Sequence, residues 1–199
     1  MNTNGSDSFD LLISGIGGQG TILASDIIGR ASVLEGFSIR AAETHGMAQR
    51  GGSVVNHIRI GCDLGTIIPL KGANGMIALE PVEAARYIDQ LSDNGVLVMN
   101  TEPVYPVTVT SGNSEYPDVT QIIKSLEKDH RVIAFNASEM ATKAGAVQAM
   151  NVVMVGAISK FLPFDKSVLL ACIKEMVPPK TIDVNIRAFE MGRSAVDLR

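Results

Sequence analysis

The stretch Gly15-Ile16-Gly17-Gly18-Gln19-Gly20 has the GxGxxG spacing of a phosphate-cradling turn. Its chemistry rests on the main chain. Gly15 permits a tight turn and Gly17 lets backbone come close to a ligand. The N–H groups that open the following helix then face an anion along the positive end of the helix dipole. Gly15, Gly17, Gly18, Gln19 and Gly20 are therefore the candidate cofactor-binding residues. Glu43 closes the next predicted strand, where NAD enzymes place the acid that takes a ribose hydroxyl. Taken alone, the motif supports NAD or FAD, and it equally suits a glycine turn that only packs a helix tightly against a strand.

A second unusual segment runs Glu43-Thr-His45-Gly46-Met47-Ala-Gln49-Arg50-Gly51-Gly52-Ser53. It joins an imidazole (His45), an amide (Gln49) and a guanidinium (Arg50) to a glycine pair (Gly51, Gly52). Arginine offers a bidentate fork and glycines expose N–H groups, so the loop suits a phosphate or carboxylate. A solvated surface loop with one arginine is the plain alternative.

The elements that must hold these loops follow from periodicity. Residues 9–14 form a compact apolar run, a buried strand, and residues 21–36 carry apolar side chains at helical spacing up to Gly36. Residues 37–42 read as a second strand, completing strand, glycine turn, helix, strand. Residues 54–61 alternate like a third strand. The link before them is too short for a parallel crossover, so a standard dinucleotide-binding sheet is not expected to continue there. Residues 66–70 read as the returning arm of an antiparallel hairpin, and 107–110 as a short edge strand. Strands at 75–80, 95–100 and 131–135 alternate with a helix opened by Pro81 and another at 119–128. From Ala137 on the pattern is helical, with Asp165 as a cap and a last helix over 184–196. The expected fold is α/β: a Rossmann-like three-layer sandwich with a mixed sheet, a β-hairpin insertion and a helical C-terminal third. Residues 1–8 form a disordered tail and 9–199 a single domain.

A net charge of −4 gives no support for nucleic-acid binding. The two cysteines, Cys62 and Cys172, lack the close spacing of an iron–sulfur or zinc site and read as free buried thiols. No metal ligands are assigned. The polar N-terminus is not a secretion signal and no apolar run would span a membrane, so a cytoplasmic protein is expected. His57 and His130 read as structural or surface groups. Gln148 and Asn151 suit hydrogen bonds either within the core or across an interface. The helix through Val152–Ile158 is apolar nearly all round, which implies burial, with a partner as one possible cover.

GIGGQGTILASDIIG, ETHGMAQRGGSVVNHIRIG and ALEPVEAARYI, with AGAVQAMNVVMVGAISKFL and NIRAFEMG further on, resemble the gamma-type domain of the 2-oxoacid:ferredoxin (acceptor) oxidoreductases. The likeness spans Asp10 to Gly192. The HGMAQRGG form is most similar to the beta subunits of indolepyruvate ferredoxin oxidoreductases; pyruvate and 2-oxoglutarate relatives carry a Tyr-Gly-Pro version of this loop. The resemblance implies oxidative decarboxylation of an aryl pyruvate to an acyl-CoA, with electrons passed to ferredoxin. It implies that thiamine diphosphate, Mg and iron–sulfur clusters belong to a large partner subunit, that CoA is used by the complete complex, and that this chain binds no cofactor alone and is inactive alone. No catalytic residue is assigned to it. His45, Gln49, Arg50, Gly51 and Gly52 would face substrate, CoA or the partner, and the isolated chain could form a homodimer. Two alternatives stay open. One is a free-standing NAD(P)- or flavin-binding protein, and the other is the same family acting on pyruvate, 2-oxoisovalerate or 2-oxoglutarate.

Overall fold

A computed structural model describes residues 8–46 and 52–197. The expected tail lies outside these residues except for Ser8, which is exposed. Six strands, β1 (Phe9–Ile16), β2 (Ile39–His45), β3 (Ser53–Ile60), β4 (Ala73–Ala78), β5 (Leu91–Asn100) and β6 (Arg131–Phe135), form one sheet in the order β2-β3-β1-β4-β5-β6. β1, β4, β5 and β6 are parallel, whereas β3 runs antiparallel to both β1 and β2. The short link after β2 leaves no length for a crossover, so β3 folds straight back and inserts between β2 and β1. The sheet is mixed, as its sequence implied, and β2 becomes an outer strand.

This arrangement corrects the hairpin. Both edges of β3 are occupied, by β1 and β2, so no edge remains for an arm at 66–70. Residues 61–72 instead cross the face of β3 without regular structure. Arg59 donates through Nη1 to the Gly65 carbonyl (2.9 Å), and Ile68, which is buried, donates its N–H to His57 Nδ1 (3.3 Å). Residues 107–110 are also corrected. They form a short helix, α3 (Val107–Thr110), rather than a strand. Pro106 carries the chain into the turn and its carbonyl takes the Thr110 N–H at 3.0 Å, so local bonds override the β-branched composition.

His57 is structural, as expected. Burial pushes its pKa below the ordinary 6.5, and a nitrogen that accepts the Ile68 N–H cannot also carry a proton. The unfolded chain protonates first as pH falls, so stability declines from about pH 6.5 downward. His57→Gln keeps an acceptor but cannot titrate. Urea melts at pH 7 and pH 5 are expected to show a smaller drop in the variant than in the natural chain.

The remaining helices are α1 (Thr21–Leu34), α2 (Pro81–Tyr87), α4 (Val119–Leu126), α5 (Ala137–Ala144), α6 (Met150–Ile158), α7 (Lys166–Met176) and α8 (Ile182–Asp197). Alternation along the strands divides the core. Leu11, Ile13 and Ile77 face α1, α5, α6 and α8, while Leu12, Met76 and Leu97 face α2 and α4. Side-chain caps start α2, α4, α5 and α7 at Glu80, Asp118, Asn136 and Asp165. All nine residues of α6 are buried because α8 lies outside it, so its own chain provides the cover that its apolar surface demanded. Cys172 is buried and Cys62 half-buried, both as free thiols. Among the described residues no helix is long and apolar enough to cross a membrane.

Candidate functional site at the carboxyl ends of the parallel strands

Open α/β sheets bind ligands beyond the carboxyl ends of their strands, and both glycine segments meet at that end here. β1 runs into the turn 17–20 and α1 begins at Thr21. Gly20 caps α1 at φ 79°, in the left-handed region. No side chain caps the helix, and its first turn holds no acidic residue. The helix start is thus left open to an anion. Gly18, at φ 104°, is exposed.

Gln19 works inward. Its Oε1 accepts the Ile16 N–H (2.8 Å) and its Nε2 donates to the Leu79 carbonyl (3.1 Å). A Cβ on Gly15 would lie 2.9 Å from that Oε1, so Gly15 makes room for the brace. The Leu79 carbonyl also accepts Asn100 Nδ2 (3.1 Å), and Asn100 Oδ1 takes the Ala137 N–H (3.0 Å). One chain of hydrogen bonds therefore ties the glycine turn, the end of β4, the end of β5 and the start of α5.

Asn151, buried at the start of α6, donates to the Gly20 carbonyl (3.0 Å), so of its two expected roles the contact within the chain is the one observed. Gln148 is exposed. A methyl at residue 20 would collide with the Asn151 amide as well as strain the left-handed backbone. Gly20→Ala is expected to cost about 2 kcal/mol, measured by denaturant unfolding. Asn151→Ala in the same chain should recover part of that loss, since the two effects share one contact.

The second loop begins and ends beside the glycine turn. The Gly17 N–H donates to the Gly52 carbonyl (2.9 Å), and Gly46 N–H to the Ser53 carbonyl (2.8 Å). His45 ends β2, whereas Gln49, Arg50 and Gly51 lie outside the described residues. Ser53 Oγ hydrogen-bonds Glu83 Oε2 and lies 3.0 Å from the Tyr87 hydroxyl, while Arg86 Nε donates to Glu83 Oε1 (3.0 Å). Glu43 lines a separate crevice of about 200 Å³ with Ser25, Asp26 and Asn56, between α1 and the β2–β3 pair.

Glu80 has the most elaborate setting. It is buried, and its Oε2 takes the Val82 and Glu83 N–H groups (2.7 and 3.1 Å). Its Oε1 takes the Val104 N–H (3.3 Å) and the Tyr116 hydroxyl. Burial, then the bond to Glu80, raises the Tyr116 pKa and keeps the phenol protonated. Tyr116 also stacks edge-on against Tyr105, with ring centroids 5.2 Å apart. A cleft of about 270 Å³ opens between these groups, Ser53, Arg86 and the segment 104–117. Sequence reasoning placed Glu80 at a strand end but missed Tyr116, which lies 36 residues away with no motif to link them.

A protein-family model described as pyruvate ferredoxin/flavodoxin oxidoreductase matches residues 10–195. The chain belongs to that family. It is 45% identical to the indolepyruvate oxidoreductase subunit IorB of Archaeoglobus fulgidus, over 92% of each chain. It is 40% identical to the same-named subunit of Thermococcus kodakarensis, over 94% of this chain and 95% of the relative. The 2-oxoglutarate synthase subunit KorC of Methanothermobacter marburgensis is only 26% identical, over 94% and 96%. Among solved structures, the keto/oxoacid ferredoxin oxidoreductase gamma subunit of Geobacter sulfurreducens superposes with a TM-score of 0.72 at 22% identity, covering 96% of this chain and 99% of that one. A 2-oxoglutarate:ferredoxin oxidoreductase from Magnetococcus marinus, solved with 2-oxoglutarate, coenzyme A and succinyl-CoA, gives 0.75 at 17%, covering 98% of this chain and 32% of that one. These structures share the family fold. The matched residues contain both glycine segments and the six-stranded sheet apart from Phe9, the first residue of β1.

Proposed function

We propose that this chain is the small subunit of an indolepyruvate-type 2-oxoacid:ferredoxin oxidoreductase, a cytoplasmic enzyme that oxidatively decarboxylates aryl pyruvates to acyl-CoA. The observation that carries the substrate class is the gap in identity: 45% and 40% to subunits named for indolepyruvate against 26% to one named for 2-oxoglutarate. A large partner subunit holds thiamine diphosphate, Mg and the iron–sulfur clusters, and those groups supply the decarboxylation and the electron path to ferredoxin. This chain, a single family domain over 9–199, completes one wall of the active site. Among its described residues no cluster of three His, Cys, Asp or Glu side chains is placed to hold a metal.

The glycine turn suits the phosphates of CoA. The uncapped start of α1 offers N–H groups and a positive dipole end, and Gly18 leaves the approach open. Gln19 holds the turn in shape rather than meeting the ligand. Gly52 adjoins the turn through its contact with Gly17, and we assign His45, Gln49, Arg50, Gly51 and Gly52 to contact with substrate, CoA or the partner.

Anaerobic purification through a tag on this chain from its native organism tests the assignment, with mass spectrometry, a visible spectrum and ferredoxin-reduction assays. A brown complex with a large subunit is expected, turning over indolepyruvate and phenylpyruvate faster than pyruvate or 2-oxoglutarate. Preference for 2-oxoglutarate would move the chain to another substrate class. A colourless preparation without a partner would remove the assignment.

A further inference from the structure

We infer that residues 104–117 form a strap that opens and closes the cleft beside Ser53 and Arg86, latched by a single carboxylate oxygen, Glu80 Oε1. Both ends of the segment are fixed to the body. Glu102 donates its N–H to Asn100 Oδ1 (3.3 Å) and accepts Asn136 Nδ2 (3.0 Å) on its carboxylate, while Asp118 caps α4. Between these points no residue is buried, and Val107 is 81% exposed. The excursion is shaped by local bonds. The Pro106 carbonyl takes the N–H groups of Val109 and Thr110, and the Thr108 carbonyl those of Asn113 and Ser114. Among the described residues, its hydrogen bonds to the body come only from the Val104 N–H and the Tyr116 hydroxyl. Both end on Glu80 Oε1.

Glu80 divides its two oxygens between separate tasks. Oε2 caps α2 through the Val82 and Glu83 N–H groups, and Oε1 holds the strap. Release of the strap therefore leaves the cap intact. It also admits water to Oε1, so the carboxylate is not stranded without partners. Segments with few buried contacts are the ones that open below the global unfolding free energy. The cleft lies between the strap and the body, with Pro106, Thr108 and Val109 on one wall and Ile16, Val82 and Arg86 on the other. Ile16 ends β1 where the glycine turn starts, and Glu80 directly follows Leu79, whose carbonyl braces Gln19. The strap thus controls access to a space beside that turn. Its latch consists of this chain alone, so its failure would leave the subunit assignment untouched.

The test is thiol labelling of the purified full chain carrying Val82→Cys, which places a thiol on the body side of the cleft. The probe is a maleimide dye too bulky to enter the closed cleft, and peptide mass spectrometry separates residue 82 from Cys62 and Cys172. The labelling rate tracks the population of the open state while opening and closing outpace the reaction. Slow labelling is expected with Tyr116 present. Adding Tyr116→Phe keeps the ring and its packing but removes the hydroxyl. It should speed labelling at residue 82 at least about tenfold, the effect of losing one hydrogen bond to a carboxylate, with an unchanged thermal melt. Equal rates with and without the hydroxyl overturn the inference. So does labelling at the rate of an unprotected thiol while Tyr116 is present, because no latched state then exists. A melt lowered by Tyr116→Phe also overturns it, since the bond would then hold the folded body rather than a separately opening strap.

Discussion

Gly156→Ala and Gly192→Ala are each expected to lower stability by about 4 kcal/mol or more, the range reserved for a fault in the core that cannot relax. Both glycines are buried where α6 and α8 cross. A methyl on Gly156 would fall on the Phe189 carbonyl oxygen, and one on Gly192 on the Val153 carbonyl oxygen, far inside van der Waals contact in both cases. These obstacles are backbone atoms of regular helices, so no rotamer change relieves them. The helices would have to separate, and α6 would lose contact with Phe189 on one side or its seat on β4 and β5 on the other. Denaturant unfolding followed by far-ultraviolet circular dichroism measures the loss. A change below 1 kcal/mol in either variant would show that the crossing is looser than described. The double variant should cost less than the sum, because one separation accommodates both methyls.

Arg59→Ala is expected to cost about 3–5 kcal/mol, the usual result of stripping one partner from a buried ion pair. Arg59 Nε and Nη2 reach the two carboxylate oxygens of Asp10 at 3.0 and 2.8 Å, with side chains 9% and 13% exposed. The hydrogen bond to Asp10 is the chief cause raising the arginine's pKa further. The same guanidinium holds the 61–72 crossing through Gly65. Removal would leave the Asp10 carboxylate poorly solvated beside an unanchored segment. Asp10→Asn with Arg59→Met should be milder than Arg59→Ala alone, because no unpaired charge remains. Chemical denaturation at neutral pH gives the comparison, and equal losses would mean that packing rather than charge dominates.

How far the sequence reached can be judged at particular residues. The glycine turn was legible because GxGxxG between an apolar run and a helical period admits few geometries. The orientation of β3 was legible because the chain after β2 is too short to cross over. The arm at 66–70 was misread because the run TIIPL has strand composition, and composition does not show that β1 and β2 already occupy both edges of β3. The VTVT segment was misread for a related reason: its β-branched residues favour a strand, but Pro106 sets up a turn bond that a strand would forgo. Glu43 satisfied the spacing of a ribose-binding acid. The insertion of β3 sets β2 two strands away from β1, and Glu43 lines a crevice beside α1. That geometry weighs against a conventional dinucleotide site.

By itself the sequence determined the longer helices, the glycine turn, the antiparallel return of β3 and the family resemblance, because each depends on spacing within a few tens of residues. Only the tertiary structure decided which carbonyl Gln19 and Asn100 share, which oxygen Tyr116 meets, and why residues 156 and 192 must both be glycine. Those are contacts between segments distant in the chain, and their partners are fixed by sheet order and helix crossing. Local periodicity does not specify either one.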